Sequence, residues 1–187
     1  INSSIYDSPV VIGQTKVLRA AIISSDWISN KITTKTYLIN EESNLPIVSL
    51  ATDPYNLFDE EYGIYVLGNN YENWNPFFGA NFWEDWERPI HFSYHENGTD
   101  RFAEFNAGVK IFGGWSRGQN GQRSLSLFAR GQYGDSEFKH PFFDALNYRK
   151  FQSLILRNSG QDWMRSSMKD ITLTSLMRGS GQDFLEH

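Results

Sequence analysis

Apolar and polar residues alternate with a two-residue period over much of this chain, and that period predicts β-strands. Thr15 to Ile23 and Lys31 to Ile39 are rich in Val, Ile, Leu and Thr, and the polar stretch 24–30 between them has loop chemistry. Leu45 to Leu50 reads as a short apolar strand, with Pro46 tolerable near its start. Asp53-Pro54 and Asn56 predict a turn, and Gly63-Ile64-Tyr65-Val66 returns to strand-like residues. Trp86 to Tyr94 and Arg101 to Phe112 read as hairpin arms joined at Asn97-Gly98, a dipeptide that supplies the positive φ angles of a tight turn. Ser124 to Arg130 and Phe151 to Arg157 add two more strands. Phe138 to Phe143 reads as an aromatic turn. From about Trp163 to Met177 the period lengthens, with Met164, Met168 and Ile171 on one helical face and Gly179 and Gly181 stopping the run. The expected fold class is α+β, mainly antiparallel β with one substantial C-terminal helix.

Two stretches break the alternation. Asn69 to Asp85 is irregular and dense in aromatic residues (Tyr71, Trp74, Phe77, Phe78, Phe82 and Trp83), with Pro76 and Gly79 arguing against regular structure. Such a loop either packs on the core or forms a binding platform. The second is Gly113-Gly114-Trp115-Ser116-Arg117-Gly118-Gln119-Asn120-Gly121-Gln122-Arg123, which places four glycines and two arginines between two strands. Glycine lets backbone N–H groups turn toward an anion, and arginine supplies a permanent charge and a fork of donors. The loop reads either as a phosphate cradle or as a long hairpin loop with surface arginines.

Composition narrows the function. The chain has 187 residues, 40% hydrophobic and 21% charged, which suits a globular domain. A net charge of −5 argues against a dedicated nucleic-acid binder. With no cysteine there is no disulfide framework and no thiolate nucleophile. No apolar run approaches transmembrane length. Asp53, Asp59, Glu60 and Glu61 lack the spacing of a calcium loop, and His91 and His95 sit too far apart on a strand for easy chelation, so no metal site is expected. Ser116 and Ser124 lack a histidine–carboxylate partner for a hydrolase triad. Asp162 suits a helix N-cap, and Asp170 suits a solvated face or a local ion pair. Ile1 is not a natural start, and Leu185-Glu186-His187 reads as the remnant of an expression tag. The expectation is a chain cut from a longer protein.

Several segments, in order, resemble the CotH family, the spore-coat-protein-H-like atypical kinases. They are Leu45 to Asp59, Gly63 to Val66, Trp86 to His91, Ala107 to Arg117, Arg123 to Leu127, Leu156 to Asp162, and Lys169-Asp170. The resemblance spans residues 45–184 and implies an N-terminal lobe. Residues 1–41 resemble the closing strands of an immunoglobulin-like module similar to the C-terminal domain of chitobiases, through Asp7 to Val10 and Val17 to Ala21. That likeness implies a secreted or cell-surface bacterial parent.

The CotH resemblance implies a protein kinase that transfers phosphate from ATP, with Mg2+, to serine of a protein substrate. Its nucleotide-binding residues would be Gly113, Gly114, Ser116, Arg117, Arg123 and Asp170. The family commonly has lysine where Arg123 stands. Asp170 would orient Arg123 by an ion pair. Catalytic acids and magnesium ligands are expected beyond residue 184, so this stretch alone is expected to be inactive. The alternative is a carbohydrate-binding or structural cell-surface module, favoured by 16% aromatic residues and six tryptophans. A sugar platform is expected to show coplanar exposed rings among Trp74, Phe77, Phe78 and Trp83.

Overall fold

The computed structural model describes residues 4–23, 32–96, 102–118, 122–144 and 146–158. The chain divides into two compact units, Ile1–Ala51 with His91–Phe105, and Thr52–Ile90 with Asn106–His187. The strands are β1 (Lys16–Ala20), β2 (Thr33–Tyr37), β3 (Ile47–Ala51), β4 (Arg88–His95), β5 (Phe102–Phe112), β6 (Ser124–Phe128), β7 (Phe138–Lys139), β8 (Lys150–Phe151) and β9 (Ser153–Leu156). β1 and β2 pair as one two-stranded sheet, and β7 and β8 as another. A five-stranded sheet has the order β3-β4-β5-β6-β9.

In the first unit, β1 and β2 are antiparallel with Leu18 opposite Lys35. β3 runs antiparallel to β4, with Ser49 opposite Ser93. A chain of hydroxyls ties these strands: Ser93 donates to Thr36 at 3.1 Å and Thr36 donates to Ser49 at 2.9 Å. Lys35 pairs with Glu104, whose other oxygen lies 3.8 Å from His91 Nε2. Phe92 stacks on Phe105 beneath the buried Ala103.

In the second unit, β5 and β6 are antiparallel with Val109 opposite Leu127, and β6 and β9 with Leu127 opposite Leu154. Ile64, Phe82, Val109, Leu127 and Phe138 are fully buried and form its centre. Val109 and Leu127, paired across β5 and β6, anchor the strands on either side of the glycine-rich loop. Asp53 caps a short helix, α1 (Pro54–Phe58), by accepting from the Tyr55 N–H at 3.1 Å, with proline inside the first turn.

The expected fold class needs correction. Among the described residues the structure is mostly antiparallel β with almost no helix: α1 has five residues, and the turns of 3-10 helix at Asn81–Trp83 and Trp115–Arg117 have three each. Among the described residues there is no substantial helix, and residues 163–177, where the spacing predicts one, lie outside them.

Two smaller expectations also change. The turn at Asp53 to Asn56 is the capped helix α1, and Gly63 to Val66 is a turn and not a strand. The Ile64 and Tyr65 N–H groups donate to Asn56 and Leu57 carbonyls, folding the segment back on α1. Gly63 permits this, since a Cβ there would lie 2.6 Å from the Asp59 backbone. Among the described residues no helix is long and apolar enough to cross a membrane.

Candidate functional site

The glycine-rich loop leaves β5 at Gly113, whose φ of +104° only glycine adopts without strain. The chain then turns through Gly114 into the 3-10 turn Trp115–Arg117, so Ser116 and Arg117 sit on one tight bend. Gly118 follows against the neighbouring aromatic loop. A Cβ there would stand 2.2 Å from the Pro76 carbonyl oxygen, and the Asn75 amide donates to the Gly118 carbonyl at 3.2 Å. The 69–80 and 113–118 loops thereby pack closely at Gly118, held by a side-chain-to-backbone hydrogen bond.

Both arginines of the loop are seated on this scaffold. Arg117 Nε donates to the Gly113 carbonyl, and its Nη1 donates to the carbonyls of Phe82 at 3.2 Å and Trp83 at 3.3 Å. Its guanidinium lies 5.7 Å from the Trp83 ring centre. Arg123 Nε donates to the Arg117 carbonyl at 2.8 Å and its Nη1 to the Tyr65 carbonyl at 3.1 Å. The Arg123 guanidinium stacks 3.9 Å from the Phe82 ring centre, and its backbone N–H donates to the Tyr65 hydroxyl at 2.7 Å. The two cations therefore converge, one holding the carbonyl of the other.

Their electrostatics are unusual. Burial pushes both guanidinium pKa values below the ordinary range, which for Arg117 the Asp85 charge opposes; both stay charged, since arginine starts above 12. Neither has a carboxylate within ion-pair distance among the described residues. The nearest acid to Arg117, Asp85, is committed to Lys110, whose ammonium holds the Asp85 carboxyl below its usual range. In both arginines Nη2 donates no hydrogen bond to the described residues. Arg88 supplies a contrast in the same unit: it is 8% exposed, all three of its nitrogens donate to the Tyr62 and Glu87 carbonyls, and the Tyr62 and Trp86 rings close over it. Arg88 is a finished structural arginine, while Arg117 and Arg123 keep donors in hand.

The loop's root is also built. Ser124 donates to the Asn158 side chain at 2.7 Å and accepts from the Asn158 N–H at 3.0 Å, bringing together two segments 34 residues apart. Of the residues expected from sequence, Gly113, Gly114, Ser116, Arg117 and Arg123 fall on one loop, and Asp170 lies outside the described residues. Sequence reasoning missed Tyr65, Phe82 and Trp83, which supply the carbonyls and rings of the arginine seats. Nothing local marks them, because their partners are between 34 and 58 residues away. Asp53 and Asp59 spend their carboxylates on backbone N–H groups of α1 and the following turn. Among the described residues no group of three or more histidine, aspartate or glutamate side chains could hold a metal ion.

The aromatic loop is divided. Phe82 is buried, while Trp74 and Phe78 are exposed together with Trp115 of the glycine-rich loop. The rings are not coplanar: Phe78 meets Trp74 at 83°, Trp83 at 45° and Trp115 at 78°. No family model, no curated protein and no solved structure matches this chain.

Proposed function

We propose that this chain is the nucleotide-binding lobe of an exported CotH-like protein kinase, with the glycine-rich loop and its two arginines receiving the phosphates of ATP. The observation that carries the reading is the pair of half-buried guanidiniums with no carboxylate partner among the described residues. Holding a guanidinium away from water is costly unless its donors find acceptors, as those of Arg88 do, and Nη2 of both Arg117 and Arg123 finds none among the described residues. Here the Arg123 guanidinium holds the backbone carbonyl of Arg117 beside a glycine turn, and each arginine retains Nη2 donors in the fork geometry that suits phosphate. Phosphoryl transfer asks the protein chiefly for positioning and charge neutralisation, and this loop offers both. Magnesium, when bound with ATP, would supply further neutralisation of the phosphate charge. No described carboxylate is assigned to it, since Asp53, Asp59 and Asp85 are engaged elsewhere.

Titration of the full chain with ATP and with inorganic tripolyphosphate, followed calorimetrically, tests this reading. Both are expected to bind, more weakly as salt rises, and Arg117→Ala or Arg123→Ala is expected to reduce both affinities about tenfold or more. Absence of binding by the folded wild-type chain, or binding indifferent to both substitutions, refutes it.

A further inference from the structure

The exposed large apolar residues of the 69–80 and 113–118 loops are Tyr71, Trp74, Phe78 and Trp115, all of them aromatic. Trp74 is 58% exposed, Trp115 51% and Phe78 39%. Contiguous exposed rings of this kind mark a binding surface more often than a stray patch. Phe78 joins the two indoles, with ring centres 6.2 Å from Trp74 and 6.1 Å from Trp115.

The backbone beneath these rings is fixed before any ligand arrives. The Phe77 N–H donates to the Trp74 carbonyl at 2.7 Å and the Glu72 N–H to the Phe78 carbonyl at 2.9 Å. Trp83 Nε1 donates to the Pro76 carbonyl at 2.9 Å, and Asn75 reaches across to Gly118. Little ordering entropy then remains for binding to overcome, which favours a small rigid-ringed ligand. The border is polar: Glu72, Asn73 and Asn75 are exposed beside Trp74, and the Asn75 amide oxygen accepts no hydrogen bond among the described residues. Aromatic rings without aliphatic neighbours, edged by carboxamides and a carboxylate, match the C–H faces and hydroxyls of a sugar better than the mixed apolar centre of a protein interface.

We infer that Trp74, Phe78 and Trp115 form a saccharide-binding surface, which adjoins the guanidinium pair through the 115–117 turn and Trp83 and does not depend on whether that pair takes phosphate. The three rings do not share the common plane expected of a flat sugar platform, since each indole stands nearly perpendicular to Phe78, so the surface suits a soluble glycan chain that meets the rings one at a time. It does not suit the flat face of a crystalline polysaccharide, which needs coplanar rings.

The full chain is titrated by calorimetry with cellohexaose, xylohexaose and chitohexaose as probes, and its retention on microcrystalline cellulose is measured. At least one hexaose is expected to bind, and Trp74→Ala and Trp115→Ala are each expected to weaken it about threefold to tenfold. Trp115→Phe should keep most of the affinity, and Tyr6→Ala, an exposed ring in the other unit, should leave it unchanged. Failure of all three hexaoses with folded wild-type chain overturns the proposal, as does binding that survives both alanine substitutions. Retention on crystalline cellulose without hexaose binding overturns it too. Sedimentation showing a dimer that Trp74→Ala dissociates, with no sugar bound, would give the surface to a second copy of this chain.

Discussion

Replacing Arg123 by methionine removes the guanidinium while leaving an unbranched stem over Phe82. Two donors are lost, to the Arg117 carbonyl at 2.8 Å and the Tyr65 carbonyl at 3.1 Å, and the stacking on Phe82 at 3.9 Å loses its cation. A hydrogen bond from a charged donor contributes about 1.5–3 kcal/mol, and a partly desolvated cation–π contact about 1–2 kcal/mol. Against this, methionine relieves the cost of holding an unpaired charge out of water, the cost that lowers the Arg123 pKa. The balance is a destabilisation of about 2–4 kcal/mol, since two carbonyls are left facing an apolar stem. Lysine at the same position keeps the charge but cannot hold both carbonyls in one plane. Arg123→Lys should therefore cost about 1–2 kcal/mol in stability and retain tripolyphosphate affinity within about threefold. Urea unfolding followed by tryptophan fluorescence measures the first quantity and calorimetry the second. If Arg123→Met unfolds within about 0.5 kcal/mol of wild type, the residue is not an anchor of the loop and the reasoning from its hydrogen bonds fails.

Two further predictions concern the scaffold. Gly118→Ala drives a Cβ to 2.2 Å from the Pro76 oxygen and 2.7 Å from its Cα, and should cost about 1–3 kcal/mol in a urea melt, whereas Gly131→Ala, with nothing within 4 Å, should stay within about 0.5 kcal/mol. Equal effects of the two would show that the loops are not locked at Gly118. In the first unit, burial beside Phe102 holds the His95 pKa below its ordinary value of 6.5, against a smaller opposing pull from Glu104. Just below that value the unfolded chain binds more protons than the folded one, so this contribution is complete above pH 6.5 and is lost as pH falls through the folded pKa. His95→Phe should flatten the acid side of a urea-midpoint-against-pH curve, and an unchanged slope would remove His95 as its source.

The strands were legible in the chain mainly through residue type: Val17 and Leu18 in β1, the threonines of β2 and the Ser–Leu repeat of β6 suit extended backbone. Burial alternates along Thr33 to Tyr37 but not along Ser124 to Phe128, where both serines are buried. The glycine-rich loop was legible for the same reason: glycines and arginines between two such runs can only be a connection. Residues 53–66 were misread, because the choice between turn, helix and strand there depends on Asn56 and Leu57 carbonyls receiving N–H groups from Ile64 and Tyr65. The expected long helix rested on period alone, and its residues, 163–177, lie outside the described ones.

The sequence by itself determined the β character, the position of the loop and the identity of its two cations. Only the tertiary structure decided what those cations are doing. Tyr65, Phe82 and Trp83 come to Arg117 and Arg123 from distant segments, and their carbonyls hold both guanidiniums, with no carboxylate partner among the described residues. The same assembly turns Trp74 and Trp115 outward around Phe78 while burying Phe82. Aromatic residues of one loop look alike in sequence, and burial is a property of the fold around them, so which rings are core and which are surface could be settled only in three dimensions.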